Sequence, residues 1–380
     1  MRLLAVYRSA LRLAAPLVFS CSPALALVSF DDGHNDFFVS SSVGIAYDSN
    51  IFATANGAGD TSYNASLGIE YLRKAGMIGV DADIGWQFSR FDKFSGESFA
   101  NPSLSASFTK ASGRTTGVVK LAAKRENRAE TAINIRAVSW DYDASVQVKY
   151  PVIERYSITG GLDYNRRDYS SNATLVDINS YALNTDLLYA LNSQRDLLAG
   201  YRFRTIHTTA ETTDTDHAVT VGVSGKILSK LRGSVRIGLQ RRDVQRRIGP
   251  DESHGSATAT ATTTWSLSRR LSLAGSLSRD FVTVATDANV DTTSASLDAQ
   301  FAMSLKTAVF AGVSYSHLDF LDTGAAGRKD NSLSFNAGAS YSLNEHFKLS
   351  ANYVYFLNSS TLAISDYHRH SISLNLSSHW

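Results

Sequence analysis

A single cysteine in 380 residues rules out an internal disulfide framework. Charged residues make up only 19%, fewer than the roughly 25% of a typical soluble domain. Past the N-terminus no run of 18 apolar residues occurs, so no transmembrane helix is expected there. Only five prolines interrupt the chain. Formal net charge is +2, which offers no bulk electrostatic case for binding nucleic acid. What the chain has instead is abundant Gly, Ser, Thr and Ala, and a persistent two-residue alternation.

The last stretch shows the alternation most plainly. Ile372, Leu374, Leu376 and Trp380 share one parity; Ser371, Ser373, Asn375, Ser377 and His379 share the other. Successive side chains of a strand point to opposite faces, so one face is greasy and the other polar. That suits a strand with lipid on one side and water on the other. A soluble edge strand could alternate likewise; recurrence along the chain decides between them.

Reading back from Trp380, an apolar residue closes a similar segment every 36 to 42 residues: Tyr341, Phe301, Trp265, Ile227, Tyr189, Tyr150, Phe108 and Tyr71. A period near forty marks a repeating supersecondary unit. Here the unit is a hairpin: strand out, longer loop, strand back, short polar turn. Trp140, Tyr142, Ala144, Val146, Val148 and Tyr150 alternate with Asp141, Asp143, Ser145, Gln147 and Lys149. Segments of this kind predict 18 strands, and a slip of one hairpin in the count would leave 16.

Tight turns such as Asn192–Arg195, Ser268–Arg270 and Asn344–His346 follow even strands. Longer connections such as Glu126–Ile135, Arg246–His254 and Leu321–Asp330 follow odd ones. The expected fold is therefore all-β: a closed antiparallel transmembrane β-barrel over residues 36–380. Its turns would be periplasmic, its loops extracellular and both termini periplasmic. Closure is required because an open edge in lipid leaves backbone groups unpaired. Residues 1–26 read as a secretory signal: Arg2, Arg8 and Arg12, an apolar run from Leu13 to Phe19, and the small-x-small site Ala24-Leu25-Ala26. Cleavage there takes net charge from +2 to −1 and leaves residues 27–35 as a short periplasmic segment.

Aromatics at strand ends predict two girdles. Tyr71, Phe108, Tyr150, Tyr189, Trp265, Phe301, Tyr341 and Trp380 would ring the turn side. Trp86, Tyr164, Phe203, Phe281, Tyr315 and Tyr355 would ring the other. The opposite parity should line a wet lumen. It carries Asp81, Asp83, Asp141, Asp143, Asp163 and Asp186, mostly in the first half, and Arg167, Arg202, Arg204, Arg236 and Arg242 on strands seven to eleven. Either these form opposed walls that orient a polar solute, or they pair locally. With no inward-folding loop visible, an open conducting pore is expected, in which the arginines favour anions locally while Asp81, Asp83, Asp141 and Asp143 pull the other way.

Chemistry-bearing clusters are weak. Asp366, His368 and His370 share parity and could cup a metal, though rim residues do the same. Asp214, Asp216 and His217 fall in an expected outer loop and form no triad. Gly324–Gly327 lacks the lysine and the strand–helix context of a phosphate loop. No catalytic residue, cofactor or metal is expected.

The run Tyr47-Asp48-Ser49-Asn50-Ile51-Phe52 and repeats such as Leu162-Asp163-Tyr164-Asn165-Arg166-Arg167-Asp168-Tyr169 resemble the outer-membrane β-barrel porins found with surface-polysaccharide export systems. The resemblance implies a passive channel serving export of a surface polysaccharide. Its implied partners are outer-membrane lipid and lipopolysaccharide, the barrel insertion machinery, the polysaccharide and its export proteins. A general or sugar-selective solute porin and a non-conducting structural or adhesive barrel remain open.

Overall fold

The computed structural model describes residues 28–30, 34–130, 134–170, 174–322 and 327–380. The expected leader, residues 1–26, lies outside them, as do Gly324 and the tip of the Glu126–Ile135 connection.

Eighteen strands form the wall: β1 (Asn35–Asp48), β2 (Asp60–Arg73), β3 (Gly79–Phe91), β4 (Phe99–Lys110), β5 (Thr116–Glu130), β6 (Ile135–Ile153), β7 (Tyr156–Tyr169), β8 (Ile178–Asn192), β9 (Arg195–Thr208), β10 (Thr212–Lys226), β11 (Leu231–Arg246), β12 (Glu252–Ser266), β13 (Leu271–Thr283), β14 (Asn289–Ala302), β15 (Thr307–Phe320), β16 (Lys329–Ser342), β17 (Phe347–Ser360) and β18 (Tyr367–His379). Each pairs antiparallel with its neighbours in sequence, and β18 returns to β1 from Ser371↔Asp48 to His379↔Ser40. Val39 and Trp380 complete the seam, each donating its N–H to the other's carbonyl at 2.9 Å. Beyond that point a three-residue strand, Val28–Phe30, pairs with Asn35–Phe37 of β1. Closure gives every strand of the wall a partner on both sides, the condition a wall in lipid must meet.

The alternation sets which side faces out. Val43, Leu67, Leu121, Leu162, Val219, Leu239, Ile372 and Leu374 are all exposed on the outer surface. A soluble monomer rarely shows contiguous apolar patches beyond a few hundred Å²; a belt running round the molecule needs lipid to cover it. Between that belt and the lumen there is no packed interior. Three small clusters of buried apolar side chains lie at the end of the barrel that carries the longer connections, here the loop rim. The other end, where β1 begins and β18 ends, is the terminal rim.

Two expectations need correction. The alternation of long and short connections is not strict: 209–211, after β9, is shorter than the turn 74–78. And the polar run Thr212-Thr213-Asp214-Thr215-Asp216-His217 is strand, not loop, just as β5 continues through Glu126 to Glu130. Aspartate is a poor strand former, but strand preference follows surroundings, and here the lumen supplies arginine partners. Crossing a bilayer takes about 9–11 residues of strand, so strands of this length carry their ends past the hydrocarbon.

Candidate solute pathway

Inside the barrel, one wall is uncharged over most of its area and the other is an ion-pair lattice. A cavity of about 980 Å³ runs along the first, from Ser340, Lys348 and Ser377 near the terminal rim to Ile51, Ala53, Val284 and Ala285 at the loop rim. Its lining from β1–β3 and β14–β18 is mostly short and polar: Asn64, Gln87, Gln300, Ser314, Ser334, Asn336, Asn352, Ser373 and Asn375. These side chains offer donors and acceptors without charge. They share the parity predicted to face water.

The arginines lie mainly on the opposite wall. Arg202 donates to Asp280 at 2.6 and 3.0 Å. Arg204 donates through Nε to Asp216 at 2.6 Å and through Nη2 to the carbonyl of Phe281 at 2.8 Å. Arg242 grips Asp216 through Nε and Nη2 at 2.6 and 2.8 Å, and its Nη1 reaches Asn289 at 2.6 Å. Arg236 is paired with Asp186 and Arg167 with Asp141, the latter through Nη2 at 2.7 Å. Arg242 is 0% exposed and Asp141 1%, so both are shut from solvent inside the barrel. Arg167 alone among these arginines borders the main cavity. Asp143 accepts from Asn165 at 2.5 Å, while Asp81 and Asp83 lie near the terminal rim on β3, with Asp83 directly opposite Glu70. Local pairing, rather than two opposed charged walls, describes this side. A buried charge is costly unless paired, and pairing cancels the field an open wall would project.

The lattice holds something sequence reading missed. β12 and β13 part company after Ala259↔Arg279, while β13 stays paired with β14 to Thr283↔Asn289. The freed tip of this hairpin turns into the lumen. Asp280, Phe281, Val282 and Thr283 are all at most 5% exposed, so both faces of the strand are covered. Asp287, at the bend with φ +63°, accepts from Thr208 and Thr212 at 2.7 and 2.6 Å. Ala285 accepts from the Val176 N–H at 2.9 Å and packs with Ala137 and Leu175 on the far side. The expectation that no loop folds inward is therefore wrong. Phe281, expected in the outer girdle, is 1% exposed beneath the Arg242 guanidinium, 5.4 Å from its ring centroid. Asp280 shares the inward parity of Ser276 and Ser278, which marked it as luminal; its arginine, 78 residues away, left no sequence trace.

A second loop also enters the mouth. Residues 49–59 bring Ala53 against Phe356 and Tyr367. The Ala53 carbonyl accepts from Asn134 at 2.7 Å, and Asn134 accepts from Ser365 at 2.6 Å, bridging three connections. Asp60, 1% exposed, anchors the base by accepting from the Lys93, Phe94 and Thr61 backbone N–H groups.

On the outer surface near the terminal rim, Phe108, Tyr150, Trp265, Phe301, Tyr341 and Trp380 are exposed, and Tyr71 and Tyr189 are half-buried. Trp380 stacks on His346 with centroids 4.0 Å apart. At the loop rim His368 and His370 are exposed, and His370 bonds the Tyr353 hydroxyl at 2.7 Å. No cluster fit to hold a metal occurs among the described residues.

A closed barrel with a polar lumen and an apolar belt can now be set beside known proteins. The family model described as "Putative beta-barrel porin 2" matches residues 215–379. That span covers the wall from β10 through β18. No curated protein matches the sequence. Among solved structures the chain resembles OccK2 (OpdF) of Pseudomonas aeruginosa, in complex with glucuronate. The TM-score is 0.51 at 10% identity, covering 91% of this chain and 97% of that one. The outer membrane protein opdK of the same organism gives 0.50 at 9%, covering 91% and 99%. The apoprotein FrpB iron transporter of Neisseria meningitidis (F5-1 variant) gives 0.49 at 12%; 85% of this chain spans only 61% of that one. At such identities the likeness is one of fold: this chain has the barrel of the outer-membrane porins.

Proposed function

We propose that the protein is a passive outer-membrane channel for polar solutes, with the loop rim outside and both termini in the periplasm. The observation that carries this reading is the Ser/Asn-lined cavity running from one rim to the inward loops. A barrel of this strand number is too wide for its wall side chains to fill, so it leaves an aqueous interior. Paired arginines lend little selectivity, and the channel discriminates weakly between cations and anions. Export of a surface polysaccharide is a narrower reading, supported by the motif resemblance; uptake of small solutes fits the cavity equally.

The test is conductance in planar bilayers. The native barrel should pass small currents with a reversal potential near zero across a salt gradient. Deleting residues 51–58 should enlarge the current, because that loop enters the mouth. Folded, heat-modifiable protein that stays electrically silent in both forms would overturn the channel.

A further inference from the structure

Two glycines let neighbouring side chains lie flat against the Ser/Asn-lined wall. Pairing places Gln300, Phe310, Gly338 and Asn352 in one row across β14–β17, and Asp298, Gly312 and Asn336 in the next. A Cβ on Gly338 would lie 2.3 Å from Phe310 Cζ and 2.6 Å from the Ala351 carbonyl. Only glycine lets the Phe310 ring lie across the strand there. A Cβ on Gly312 would lie 2.2 Å from Asp298 Oδ1 and 2.8 Å from Asn336 Nδ2, so those side chains meet over that glycine. Phe310, half-buried, thus borders the cavity among three amides, Gln300, Asn336 and Asn352, and the Asp298 carboxylate.

We propose that this platform, with the Phe310 ring laid along the cavity wall, is a binding subsite for one pyranose ring of an uncharged saccharide. The proposal rests on the channel reading and names its substrate class. A pyranose presents a face of polarised C–H groups and a rim of hydroxyls. The negative face of an aromatic ring attracts the first. Planar amide and carboxylate groups, which accept and donate in fixed directions, suit the second. Water between stacked sugar and Phe310 is displaced, which adds apolar burial. Asp298 stands one row from the ring, about 7 Å along the strand, and repels an anionic sugar. Lys348 lies four residues before Asn352, about 13 Å away, too far to compensate. The same ring chemistry could arrive as a free sugar or as a unit of a polymer.

Calorimetry on the full-length folded barrel in detergent, with glucose, maltohexaose and glucuronate, tests the site. The native protein should bind the two neutral sugars and bind glucuronate more weakly. Phe310→Ala and Phe310→Leu should each weaken neutral binding about tenfold, the leucine variant keeping apolar bulk while losing the aromatic face. Asp298→Asn should narrow the gap between glucose and glucuronate. Affinity for maltohexaose well above glucose supports a polymer as source; equal affinities support a free sugar. No binding of either neutral sugar, or a leucine variant that binds like the native protein, overturns the subsite. Conductance recorded separately keeps the readings apart: current without sugar binding overturns the subsite alone, and binding without current overturns the channel alone.

Discussion

Arg241 and Arg242 are neighbours in sequence and face opposite ways, which makes them a controlled pair. Arg242 is sealed from solvent and makes charge-assisted bonds to Asp216 while also holding Asn289 and, at 3.1 Å, Thr283 on the inward hairpin. Arg242→Ala leaves Asp216 with Arg204 and strips Asp214 of a cation 3.5 Å away. Removing one partner of a buried pair costs about 3–5 kcal/mol. At about 1.4 kcal/mol per tenfold, the hairpin tip should open roughly two to three and a half powers of ten more often. Arg241 pairs with Asp243 at 3.0 Å, but its side chain is 67% exposed. Arg241→Ala should cost under about 1 kcal/mol. Both variants change net charge equally, so a general electrostatic effect cancels. Hydrogen exchange across residues 280–290 and single-channel recording check the outcome: fast exchange and frequent large openings in Arg242→Ala only. Two variants that behave alike would refute the claim that the lattice holds the hairpin.

Leu374→Arg should abolish most insertion, because an arginine on the lipid face near mid-bilayer costs about 2–4 kcal/mol, whereas Asn375→Arg, on the cavity side, should insert normally; heat-modifiability of outer-membrane fractions separates the two, and equal yields would reverse the facing assignment. Deleting Trp380 removes the reciprocal backbone pair with Val39 and the stack on His346, so the yield of folded barrel should fall on the same gels.

What the sequence by itself determined was the facing of residues on strands paired along both edges, which depends on a period of two. The parity of Ile372, Leu374 and Leu376 against Ser373 and Asn375 assigned the two faces, because side-chain direction in a strand is a local property of the backbone. The hairpin repeat likewise predicted 18 strands, and with them closure, since an edge in lipid is forbidden whatever the residues. The tertiary structure alone decided what happens across the lumen. Arg202 and Asp280 lie 78 residues apart, on strands that do not pair, and no periodicity links them. Asp214 and Asp216 read as loop residues because their charge argues against a strand, until arginines from neighbouring strands supply the compensation. Phe281 read as a girdle residue because its parity is right. It lies inside because β13 loses its partner β12 after Arg279, and a strand free on one edge can bend as its cross-lumen contacts require.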